Sequence, residues 1–106
     1  MSHTTIDDLE AVVATQSGAV VSKVIHRDDG LDVTVFAFDS SEGLAEHTAA
    51  RPAILQLLKG RIRLTVDGDE VDMVPGTWVH MSQGAPHALT ALEPALLLLT
   101  LLPQTA

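Results

Sequence analysis

The stretch "GTWVHMSQGAPHALTALEP" (Gly76–Pro94) decides how the rest of the chain is read. "TWVHM" and "HALTAL" are short, mostly apolar runs of strand length, and "SQGAP" between them is a turn signal built on glycine and proline. A strand–turn–strand unit follows, with His80 inside the first strand and His87 just after the Gly-Ala-Pro turn. Two histidines this close pose three alternatives: a metal site, a catalytic base, or a turn that happens to hold a histidine.

Outward from this stretch, the same grammar repeats. "AVVSKVIH" ends at "RDDG", an Asp-Gly turn. In "LDVTVFAF", Leu31, Val33 and Val35 alternate with Asp32 and Thr34. "DSSEG" breaks that strand. "AILQLLKGRIRLTV" is interrupted at Gly60, and its second half alternates Ile62, Leu64 and Val66 with Arg61, Arg63 and Thr65. "DGDE" is a hairpin turn, and "VDMV" ends at Pro75-Gly76. "ALLLLTLL" (Ala95–Leu102) follows the opening stretch. About eight or nine strands at this regular spacing predict an all-β fold, a sandwich or barrel. Closure into a double-sheet jelly roll protects the edges that an open sheet would expose. Residues 1–17 are expected to form a short N-terminal arm, in which "IDDLEAVVAT" is either a short helix or extended, and residues 18–106 a single barrel domain.

Composition narrows the functional classes. A chain of 106 residues makes one domain with a real core. The absence of cysteine excludes disulfides, thiolate zinc sites and a cysteine nucleophile, and it suits a cytoplasmic protein. A net charge of −8 argues against partners such as nucleic acid or an anionic membrane. "ALLLLTLL" is far shorter than the roughly 20 apolar residues of a membrane helix and reads as a strand buried on both faces. The N-terminus has no apolar signal segment. No Gly-x-Ser-x-Gly elbow and no glycine-rich loop opening a helix is present. Phe36, Phe38 and Trp78 are the whole aromatic set, which gives little to stack on a nucleobase or sugar.

The opening stretch resembles the second motif of the cupin family, G-x5-P-x-G-x2-H-x3-N. Gly76, Gly84 and His87 match at the family spacing, Pro86 fits the common Pro-His ending, and Ser82 and Ala91 stand for the proline and asparagine. The first motif, G-x5-H-x-H-x3-E-x6-G, anchored on Gly60, places His47 at the first histidine, Ala49 at the second, Ala53 at the glutamate and Ser41 at the leading glycine. The resemblance covers about residues 31–102. It implies a double-stranded β-helix, the jelly-roll barrel of the cupins. It also implies a three-histidine, one-carboxylate cage for iron, manganese, nickel, copper or zinc, ions that suit imidazole and carboxylate donors.

Only His47 and His87 carry over from that cage, because Ala49 and Ala53 stand at the other two ligand positions. His80 and Gln56 are the residues that could add to the set. Strand alternation turns both away from the expected ligand face. His3 and His26 read as surface residues. The pair of histidines is compatible with a divalent transition metal completed by water or ligand, and equally with no cofactor, as neutral pocket histidines. Ala49 and Ala53, with Leu55, Val79, Met81 and Leu89, are expected to line a small apolar cavity, the general form of a small-molecule site.

The expected function is therefore binding of a small-molecule ligand near His47 and His87, with or without a weakly held metal. The alternative is a metal-dependent enzyme of the dioxygenase, isomerase or lyase kind, and whether the chain is an enzyme at all stays open. "LDVTVFAF" and "ALLLLTLL" are apolar on both faces, so something must cover the second face. A homodimer is expected to do so, the alternative being an N-terminal segment folded back over its own sheet.

Overall fold

The computed structural model describes residues 2–104. Met1, the first residue of the expected arm, and Thr105 and Ala106, the last two of the expected barrel domain, lie outside the described residues. Seven strands form the fold: β1 Val20–Asp28, β2 Leu31–Phe38, β3 Gly43–Thr48, β4 Ala53–Val66, β5 Asp69–Met73, β6 Trp78–Met81 and β7 Pro86–Leu101. All their pairings are antiparallel. The fold is all-β, as expected from the sequence.

The strand number is lower than the sequence suggests because two pairs of expected strands are continuous. Gly60 does not end β4; at a φ of 86° it bends it. A side chain there would run into the Pro94 carbonyl oxygen and Ala95, so only glycine lets the two long strands approach. β7 likewise runs through Glu93-Pro94, and the β4–β7 register shifts between Leu57 and Ile62. These irregularities turn both strands from one layer into the next. The first halves of β4 and β6, the second half of β7, β2 and β1 make one layer. The second half of β4, β5, the first half of β7 and β3 make the other.

Residues facing each other between the layers make the core. Phe38, Leu57, Ile62, Leu64, Met73 and Leu97 are fully enclosed, and each such side chain contributes roughly 1.5–3 kcal/mol over the exposed state. Phe36 and Phe38, two apart on β2, stack with centroids 5.8 Å apart.

Val35 and Ala37 lie on the outer face of β2 and are also fully buried. The N-terminal arm lies back along this side of the same chain, where residues 10–15 share a cleft with Lys59, Pro94, Ala95 and Leu96. Among the described residues its one helical turn is the 3-10 turn Leu9–Ala11, capped by the Asp8 carboxylate accepting from the Glu10 N–H at 3.0 Å. Trp78, on the outer face of β6, is 56% exposed. Among the described residues no helix is long and apolar enough to cross a membrane.

Candidate functional site

His47 and His87 come together through an irregularity that strand periodicity does not announce. In the β3–β7 ladder, Leu44 pairs with Leu89 and His47 with His87. Three steps on β3 thus oppose two on β7, which is the count of a β-bulge. Without the extra residue, Leu44 and His47 would face opposite sides. With it, both line the same chamber and Glu46 stays exposed. On β7, the turn before His87 is stapled to the end of β3: the Gly84 N–H donates to the Ala49 carbonyl at 2.6 Å, and the Ala49 N–H to the Ala85 carbonyl at 3.2 Å.

The two rings meet edge to face, centroids 4.1 Å apart at an angle of 61°. His87 is buried, whereas His47 is exposed. Each ring is held in the same way. His47 Nδ1 donates to the Ala45 carbonyl at 2.9 Å, and His87 Nδ1 to the Ala85 carbonyl at 3.0 Å. A carbonyl oxygen only accepts, so each Nδ1 carries the proton, and in the neutral ring Nε2 keeps its lone pair. The site therefore presents two fixed nitrogen acceptors.

Both rings line two adjoining chambers. The outer one, about 310 Å³, is walled by Ala49, Ala53, Met81, Arg51 and the end of β7. The inner one, about 110 Å³, adds Phe36, Leu55, Leu89 and Leu97. Of the residues expected to line a cavity, Val79 instead packs against the core cluster. His80 and Gln56 do not join the pair. Their ladder partners are Ile54 and Trp78, on the face opposite to Ala53 and Met81, and His80 is exposed.

Arg51 is also a wall residue, one that no motif marks. Its Nε donates to the Leu102 carbonyl at 3.0 Å, one terminal nitrogen to the Leu101 carbonyl at 3.3 Å, and the other to Asp32 at 2.6 Å. Asp32 also pairs with Arg27 at 3.2 Å. Hydrogen bonding and charge from Arg51, with Arg27 adding to them, hold the Asp32 carboxyl below the usual carboxylate range against the opposing effect of burial. The signal was present in "AARPA": Ala49, Arg51 and Ala53 are two apart and share a face when the chain is extended.

The donor set does not suit a resident metal ion. Catalytic ions of this type take three protein ligands and structural ones four. Among the described residues no group of three or more histidine, cysteine, aspartate or glutamate side chains converges. An ion on His47 and His87 would have to draw its remaining ligands from water or from a bound molecule.

A double-layered barrel with a histidine pair at its mouth defines a class, and the family profile of the cupin domain matches residues 34–101. The chain belongs to the cupin family, whose members often bind metal. Among solved structures, it is similar to a conserved protein of unknown function from Streptococcus pyogenes (26% identity, 100% of this chain and 93% of that one, TM-score 0.87). It is also similar to a cupin superfamily protein from Desulfitobacterium hafniense (20% identity, 91% and 88%, TM-score 0.85), a likeness of fold alone. A cupin 2 conserved barrel domain protein from Leptotrichia buccalis is 30% identical over 86% of this chain, which spans 44% of that longer chain (TM-score 0.80). No curated protein matches the sequence.

Proposed function

We propose that this cupin binds a small organic molecule in the paired chambers, with the Nε2 atoms of His47 and His87 as its polar contacts. The observation that carries the reading is the locked ring pair set in a wall that is apolar but for Thr48 and Arg51. A few fixed polar groups in an apolar concavity make a binding site, and 310 Å³ lies at the lower end of the usual range. Thermal-shift screening against small metabolites, followed by backbone NMR, tests it. A binder should raise the melting temperature by several degrees and shift the amides of Ala49, Ala53 and His87; His87→Ala should abolish both effects. If no compound moves either reading, the chambers are not a binding site.

A second reading is that of a metal-dependent enzyme, favoured by the Nδ1 bonds, which orient imidazoles as metal ligands are oriented. Elemental mass spectrometry on untagged protein purified without chelator decides it. Near-stoichiometric iron, manganese, nickel, copper or zinc supports this reading, and a metal-free protein that still binds ligand rejects it.

We also propose a homodimer through the outer face, on the exposure of Trp78 beside half-buried Ile54 and Leu98. Sedimentation equilibrium should give twice the 11.2 kDa chain mass, and Trp78→Glu should halve it. A wild-type monomer overturns this.

A further inference from the structure

The ligand's chemical class can be read from the charge on the wall of the chambers. Among the described residues, Arg51 is the sole formally charged one lining either chamber; the rest are alanine, leucine, methionine, phenylalanine, threonine and the two histidines. In a chain of net charge −8, a cation at this place is against the average.

Its surroundings keep it in position and leave it capacity. Three hydrogen bonds to the Leu101 and Leu102 carbonyls and to Asp32 fix the guanidinium plane. A guanidinium has five N–H donors, so two remain beyond those three. Its charge is only half answered, because Asp32 is shared with Arg27. Two arginines on one carboxylate leave a local excess of one positive charge. One unit of positive charge on a planar guanidinium held in place matches a carboxylate. It matches a phosphate monoester less well, since one excess positive charge leaves a second negative charge unanswered.

We propose that the paired chambers take a small organic carboxylate, its head at Arg51 and its apolar chain running past His47 and His87 over Met81 and Leu99 toward the inner chamber. This rests on the reading of the chambers as a binding site and names what fills them. The imidazole edges then meet the middle of the ligand, where a hydroxyl or N–H on it would find an acceptor.

The test compares hexanoate with hexanamide, which differ in charge and hardly in shape, by NMR titration of the wild-type protein. The amides of Ala49, Arg51 and Ala53 and the Met81 methyl are the readouts. Hexanoate should bind at least about tenfold more tightly than hexanamide, the scale of one charge-assisted pair. Equal affinities with the same shifts would overturn the carboxylate assignment and leave the binding site standing. No shifts with either, up to the solubility limit, would overturn both. Because Arg51 also ties down the end of β7, Arg51→Gln is accompanied by Asp32→Asn, whose amide oxygen can still accept from Arg51 while the negative charge beside it is removed. D32N should bind hexanoate several-fold more tightly than wild type; weaker binding by a folded D32N would mean that Arg51 serves the fold alone.

Discussion

His47 stands directly opposite His87 in the β3–β7 ladder, and each ring gives its Nδ1 proton to the carbonyl two residues before it. One local device, an Ala-x-His segment turned back on itself, therefore sets both tautomers. At alkaline pH, where imidazole is neutral, nitrogen-15 NMR of the rings should show a protonated Nδ1 and a bare Nε2 for both residues. A protonated Nε2 on either ring would refute the lock.

Restoring the missing ligands should restore a metal cage. Ala49 and Ala53 line the chamber beside the histidine pair, and Ala53 is almost wholly buried. The double substitution A49H/A53E should raise nickel or zinc affinity by orders of magnitude in isothermal titration calorimetry. Without metal it should lower the melting temperature, because a carboxylate at position 53 is then buried without a partner. Metal should reverse that loss. An unchanged affinity would show that these positions do not converge on His47 and His87.

The Arg51–Asp32–Arg27 cluster makes stability fall on the acid side. Asp32 titrates below its ordinary value, so its contribution is fully present above the unfolded aspartate pKa and is lost as pH falls through the folded one. Melting temperatures between neutral pH and pH 3 should drop less steeply for Asp32→Asn than for wild type, with the variant less stable at neutral pH. Parallel curves would remove Asp32 from the acid response.

Two backbone positions should respond in opposite directions. Gly60→Ala meets the Pro94 carbonyl at a φ of 86°, so a loss of about 3 kcal/mol or more is expected. Ser41 stands where the family pattern has glycine and adopts a φ of 73°. Ser41→Gly relieves that left-handed strain and should stabilise the protein by about 1 kcal/mol. Urea denaturation reads both, and a destabilised Ser41→Gly would mean that the serine side chain contributes more than its backbone costs.

The two halves of the site differ in how far the sequence exposes them. His87 was legible because a short-range turn delivers it, and turn residues leave a local mark. β3 shows no strand alternation in its sequence. Its bulge puts Leu44 and His47 on one face, a spacing of three that period-two reading rejects. The two long strands each look like two in sequence, since glycine and proline, here Gly60 and Pro94, usually interrupt a strand. Here they mark the bends where β4 and β7 pass from layer to layer. Arg51 escaped notice because its role comes from Asp32 and the end of β7, both remote in sequence.

β7 also sets the order in which the molecule can form. It pairs with β2 and β3 on one side and along most of β4 on the other. Until it is in place, β1 and β2 are a lone hairpin and β3 has no strand partner at all. While residues 86–101 are still within the ribosome, a growing chain can hold only the β1–β2, β4–β5 and β4–β6 pairings. The barrel then closes late and all at once, around a strand that arrives last among the seven. Refolding should accordingly be slow for a chain of this size, as long-range pairing dictates, and a protein cut before β7 should be left with unpaired edges and no shared interior.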